Sequence, residues 1–164
     1  MKTPQAGQTA PLFELTNIHG ERFSLADALA HGSVVVAFFK ISCPTCQFTF
    51  PFLERLFESY QDERVTFVGI SQDDAADTAE FCKEFEVTFP MLLDVEGYPI
   101  SNDYGITNVP TFFLIGQDGT VQVESTGFSK KALAEISQRL GRFLGQTAAP
   151  VFLPGDIVPE SKPG

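Results

Sequence analysis

The chain has 164 residues, enough for one ordinary domain with its own core. Hydrophobic residues make up 43% of it, which excludes a disordered chain, and 17 phenylalanines with no tryptophan predict a Phe-rich interior. Eleven basic residues stand against 21 acidic ones, a formal net charge of −10, which argues against nucleic acid and anionic membrane surfaces as partners.

In chain order, Leu12 to Leu15 and Glu21 to Phe23 flank Asn17-Ile18-His19-Gly20 and predict a short hairpin turning at the glycine. Ser24 caps a short helix through Leu29, ended by Gly32. Ser33 to Phe39 is an apolar, β-branched run typical of a strand covered on both faces. A helix is predicted from Gln47 to Tyr60, with Phe48, Phe52, Leu53, Leu56 and Phe57 at helical spacing and Pro51 set to kink it. Val65 to Ile70 reads as a second buried strand. Asp73-Asp74 precede a helix over Ala75 to Glu86, with Thr78, Phe81, Cys82 and Phe85 on one face. Phe89 to Leu93 predicts a short strand and Pro99 to Tyr104 a short helix. Thr111 to Ile115 and Val121 to Thr126 form a hairpin around Asp118-Gly119, a strong turn signal. Ser129 opens a last helix with Leu133, Ile136, Leu140 and Leu144 as its apolar stripe.

Strands joined through helices lie parallel in one sheet, and the late hairpin adds an antiparallel pair, so the expected class is mixed α/β. The expected domain covers residues 1–147. From Ala148 the composition shifts to Pro and Gly, and residues 148–164 read as an irregular tail, frayed or draped on the surface. No stretch reaches the ~18 apolar residues of a membrane-spanning helix, so no membrane insertion is expected. Met1 to Gly7 has no apolar signal region. If the chain is complete as given, a cytoplasmic protein is expected, the alternative being a periplasmic protein whose signal or anchor has been removed.

Chemistry concentrates at Cys43-Pro44-Thr45-Cys46. Three cysteines are too few for a disulfide-stapled scaffold of this length. Residues i and i+3 share one face of a helical turn, with about 5–6 Å between them, which suits a disulfide. Cys43 stands where a helix opens, facing unpaired backbone N–H groups and the positive end of the helix dipole, so it is expected to be the attacking thiolate. Cys46, one turn in, resolves the mixed disulfide. Pro44 fits the first helical turn, where its missing N–H is no loss. Lys40 is either a nearby charge that lowers the Cys43 pKa or a solvated charge at a strand end. A zinc site would need two more ligands, and Cys82, His19 and His31 stand in no paired motif, so no metal is expected. Cys82 reads as a small buried hydrophobe, with a third redox cysteine as the alternative.

A second fragment, Val109-Pro110-Thr111, precedes a buried strand. Only about 5–6% of X–Pro bonds are cis, so Pro110 taken alone reads as trans. Its position favours cis, which would expose the Val109 backbone beside the dithiol for pairing with an extended peptide.

VVVAFFKISCPTC followed by FPFLERL resembles the active-site strand and helix of thioredoxin-like proteins, with Pro51 placed as their kinking proline. FEVTFPMLLD, YGITNVPTFFLIGQDGTV and the terminal helix are most similar to the TlpA/ResA branch, which overlaps the AhpC/TSA redoxin superfamily. The resemblance runs from about Ala10 to Leu144. It implies a thioredoxin fold with an N-terminal β-hairpin and a central insertion, a mixed sheet flanked by helices, and a cis bond at Pro110. It also implies thiol–disulfide exchange without a bound cofactor, in cell redox homeostasis and antioxidant defence. Cys43 and Cys46 are the expected catalytic pair. Pro110 shapes the docking surface, with Pro44, Thr45 and Val109 contacting substrate. The expected partners are a protein thiol or disulfide substrate and an upstream redox protein, with the chain acting as a monomer and as a reductant.

Several positions depart from the family pattern. Ser42 replaces the usual Trp, Thr45 a frequent Pro, and Ala37 the buried Asp that relays protons in thioredoxins proper. The TlpA/ResA branch places an acid after the next strand, where Asp73 and Asp74 stand. One of them is expected to take the proton from Cys46, and helix capping is the other role open to them. Two alternatives remain. Peroxiredoxin chemistry lacks its motif, since Lys40 holds the hydroxyl position and Val36 the proline position. A copper-delivery module lacks its distal histidine.

Overall fold

Every residue of Ser33–Phe39 is buried, because this strand is the middle of a sheet covered on both faces. The computed structural model describes residues 2–164. The elements are β1 (Glu14–Thr16), β2 (Arg22–Ser24), α1 (Leu25–His31), β3 (Ser33–Phe39), α2 (Pro44–Ser59), β4 (Val65–Ser71), α3 (Ala75–Phe85), β5 (Met91–Leu93), α4 (Pro99–Asp103), β6 (Thr111–Ile115), β7 (Val121–Thr126), β8 (Phe128–Ser129), α5 (Lys130–Leu144) and β9 (Ser161–Lys162). The main sheet runs β5-β4-β3-β6-β7. β3 pairs parallel with β4 and antiparallel with β6, and β4 pairs parallel with β5. The β1–β2 hairpin meets the β5 edge, where the Ile18 N–H donates to the Met91 carbonyl at 3.1 Å. Between β4 and β6 the chain carries α3, β5 and α4, the expected central insertion.

The period of two along β3 divides its side chains between two cores. Val35, Ala37 and Phe39 face α2 and α5, where Leu53, Leu56, Leu133, Ile136 and Leu140 close the layer. Val34, Val36 and Phe38 face Leu25 and Leu29 of α1, with Phe13 and Tyr104. The phenylalanine-rich interior is a set of ring contacts: Phe39 lies 4.4 Å from Phe50 and 4.9 Å from Phe81, centroid to centroid.

The helix starts follow the cap chemistry. The Ser24, Asp74 and Ser129 side chains accept from the N–H groups of Asp27, Asp77 and Ala132, so α1, α3 and α5 begin where the sequence predicts. Helix α2 starts at Pro44, three residues before the predicted Gln47, because Cys43 takes the cap and Pro44 needs no partner for an N–H. β5 begins at Met91 rather than Phe89, since Pro90 has no N–H to give a ladder.

Residues beyond α5 lie against the domain. Val151 is buried, the Phe152 ring lies 5.1 Å from that of Phe52, and Arg55 Nη1 donates to the Val151 carbonyl at 3.0 Å and to Asp156 Oδ2 at 2.6 Å. The Tyr60 hydroxyl accepts from the Ala149 N–H and donates to the Ser137 carbonyl. Ser161 and Lys162 then add β9 antiparallel to β8, a pairing the sequence did not predict.

The approach to Pro110 is set by a buried carboxylate. Asp94 is fully buried and accepts from the N–H groups of Ile100 and Ser101 at 3.1 and 2.7 Å and from the Ser101 hydroxyl at 2.7 Å. These bonds fix α4, and Tyr104 just after it donates to the Pro11 carbonyl at 2.6 Å. Asp94→Ala leaves those donors unpaired and is expected to lower the urea unfolding free energy by about 1–3 kcal/mol. An unchanged urea midpoint would remove the carboxylate from this role.

Candidate functional site

β3 ends at Phe39, and the next few residues carry the chain over the end of the sheet to Cys43, the N-cap of α2. Cys43 has extended backbone angles, and its sulfur accepts from the Cys46 N–H at 3.1 Å. It thereby fills the place a serine or aspartate oxygen normally holds. The Cys43 thiol donates to the Val109 carbonyl at 3.3 Å. The Val109–Pro110 bond is cis. Two fragments 66 residues apart in the chain thus meet at one sulfur.

Cys46 is fully buried, with its thiol against the Cys43 sulfur. Burial foremost, then that sulfur, pushes the Cys46 thiol far above the ordinary thiol range, while a hydrogen bond from the Lys40 backbone pulls the other way. Lys40 therefore touches the dithiol through its backbone, and its side chain is exposed. Pro44 is exposed at the first helical position, and Thr45 is buried.

Of the two candidate acids, the structure brings Asp73 to the dithiol. Its Oδ2 accepts from the Ile41 N–H at 2.8 Å, and its charge adds to the upward shift of Cys46. Asp74 is exposed and caps α3 through the Asp77 N–H at 2.8 Å. Cys82 stands apart and half-buried, in a cavity of about 290 Å³ with His19, Thr88 and Met91 among its walls. Burial, then the Glu54 charge, pushes its thiol up to about 11. Among the described residues, no group of three or more His, Cys, Asp or Glu side chains is placed to hold a metal ion.

The AhpC/TSA family profile matches residues 6–124. The chain belongs to the AhpC/TSA family. Within it, the chain is 30% identical over 132 residues to the thiol-disulfide oxidoreductase ResA of Bacillus thuringiensis subsp. konkukian, covering 80% of this chain and 75% of that protein. The fold is similar to that of the thiol:disulfide interchange protein DsbE from Chlorobium tepidum, with a TM-score of 0.75, 24% identity, and 87% and 100% of the two chains covered. It is also similar to peroxidoxin BcpB from Mycobacterium tuberculosis, with a TM-score of 0.70, 25% identity, and 85% and 97% covered. The expected mixed sheet flanked by helices, a thioredoxin fold, is the fold of this AhpC/TSA protein.

Sequence reasoning missed one part of the site. The Thr45 hydroxyl donates to the Pro163 carbonyl at 2.8 Å, so the end of the described chain reaches the dithiol motif. Pro/Gly content alone carries no signal for that contact.

The raised thiols give alkaline pH a definite effect. Above about 8.5 an unfolded cysteine releases its proton, while buried Cys46 and Cys82 keep theirs in the folded chain. The unfolded state then binds fewer protons, so stability falls as pH rises from the ordinary thiol range toward the folded value of Cys82, about 11. In the reduced protein, Cys82→Ala is expected to make that decline shallower in urea unfolding at stepped pH. Equal slopes in the two proteins would contradict the burial of this thiol.

Proposed function

We propose that this AhpC/TSA protein is a thiol–disulfide oxidoreductase that reduces protein disulfides with the Cys43–Cys46 dithiol. One observation carries the reading: the Cys43 sulfur caps α2, with the Cys46 thiol against it and the Val109 carbonyl beside it. The half-exposed sulfur attacks, and the buried one resolves.

The Cys43 thiolate displaces one sulfur of a substrate disulfide, forming a mixed disulfide and releasing one substrate thiolate, which takes up a proton. Cys46 then loses its proton and attacks the Cys43 sulfur. The Cys43–Cys46 bond forms, the second substrate thiolate leaves, and two electrons have passed to the substrate. An upstream dithiol protein restores the pair by the reverse exchange. Cys46 needs a base for its step, since burial favours its neutral form, and Asp73 is the acid its surroundings support. Asp74 serves by capping α3 and so holding the segment that carries Asp73. Exposed Pro44 and half-buried Val109, with Thr45 and Pro110 buried beside them, border the place proposed for an extended substrate segment. The chain is proposed to act as a monomer.

The likeness to peroxidoxin BcpB favours a second reading, peroxide reduction with Cys43 as the peroxidatic thiol. Against it, Val36 is buried inside β3 and the Lys40 side chain is exposed, so neither offers the hydroxyl or proline of that chemistry.

Reduction of insulin disulfides by dithiothreitol tests the first reading. Cys43→Ser is expected to abolish catalysis, and Cys46→Ser to accumulate a mixed disulfide visible by mass. Asp73→Asn is expected to slow resolution by about 10²-fold or more, with the mixed disulfide detectable during turnover. Undiminished activity of Cys43→Ser would sink the assignment, and rapid turnover of hydrogen peroxide without insulin reduction would favour the rival.

A further inference from the structure

Residues 160–164 lie along the surface that flanks the dithiol. Lys162 pairs opposite Phe128 and Ser161 opposite Ser129, and the Lys130 N–H donates to the Glu160 carbonyl at 2.9 Å. The Lys162 ammonium stands 4.5 Å from the centroid of the Phe48 ring in the first turns of α2. One residue on, the Pro163 carbonyl accepts from the Thr45 hydroxyl between the two cysteines. Gly164 is so near Val109 that a Cβ there would collide with the carbonyl oxygen to which Cys43 donates. At Gly127, with φ +81°, a Cβ would meet the Lys162 carbonyl, so the absent side chain is what admits the strand.

These are the contacts of an extended peptide docked by strand pairing: backbone bonds to an edge, one side chain on an aromatic face, and an end beside the reactive sulfur. The segment is also separable from its anchor. Val151, Phe152 and Asp156 hold the earlier part of the tail, whereas Ile157 is 97% exposed between that anchor and β9. β9 is a two-residue ladder with exposed side chains, which binds weakly enough to be displaced.

We propose that residues 160–164 are a built-in pseudosubstrate strand, which covers the docking surface of the dithiol and must be displaced by a protein substrate. The inference rests on the oxidoreductase reading above. It also defines the substrate segment: an extended strand that pairs with β8 and carries a cationic side chain over Phe48.

Lys162→Pro in the full chain removes a ladder N–H and the ammonium together. Alkylation of Cys43 by a polyethylene glycol maleimide, assigned by peptide mapping, is expected to become several-fold faster, and the KM for insulin several-fold lower. A synthetic peptide of residues 158–164 is expected to restore slow alkylation of Cys43 in the variant, while the same peptide carrying Lys162→Glu fails to. Lys162→Ala, which keeps the ladder, provides a milder variant and a smaller acceleration if the proline variant misfolds by circular dichroism. Equal Cys43 alkylation in the wild type and folded variants, with insulin reduction intact, overturns the pseudosubstrate strand alone. Faster alkylation with no insulin reduction by any of the proteins overturns the oxidoreductase reading and this inference with it.

Discussion

The bond from the Cys46 amide to the Cys43 sulfur is the contact around which the site is organised. A helix start leaves its first N–H groups without partners, and a nearby side chain must receive them. Serine or aspartate oxygens do this in α1, α3 and α5. In α2 the acceptor is a thiol sulfur, a weak acceptor when neutral and a better one when charged. The same sulfur that caps the helix also meets the Val109 carbonyl, so cap, loop and dithiol share one atom.

That contact depends on what holds both of its sides. β3 delivers Cys43 from the centre of the sheet, where parallel pairing to β4 and antiparallel pairing to β6 leave it no freedom to slip. β6 begins one residue after Pro110, so the same sheet that places the cysteine also places the Val109 carbonyl beside it. Asp94 and Tyr104 fix the route between β5 and that carbonyl from the opposite core. The proton path proposed for Cys46 comes from a third direction. Where thioredoxins proper carry an acid inside the active-site strand, Ala37 here is packed into the helical layer, and the carboxylate whose charge reaches the buried thiol arrives just after β4. An acid at Ala37 would need a partner within an apolar core, whereas Asp73 has the Ile41 N–H to receive it.

Much of the fold is legible from local patterns. β3, β6 and β7 match their predicted bounds because each is an uninterrupted apolar or alternating run closed by a turn or a polar step. The helix starts at Ser24, Asp74 and Ser129 are legible for the same reason, since a cap is a contact within four residues. What local patterns missed is nonlocal. The β8–β9 pair joins residues more than thirty apart, and its partners are too short and polar to announce a strand. Asp73 and Asp74 are neighbours of one type, and only the turn after β4 decides that one faces the dithiol and the other the helix end.

The sequence by itself determined the order of elements other than β8 and β9, the two-sided burial of the central strand and the pairing of two thiols one helical turn apart, because each rests on spacing within a few residues. Tertiary structure alone decided which carbonyl meets the Cys43 sulfur, which acid stands near Cys46 and where residues 160–164 lie. Those outcomes join segments separated by tens of residues, and packing of the whole sheet, rather than the preference of any one segment, brings them within hydrogen-bond reach.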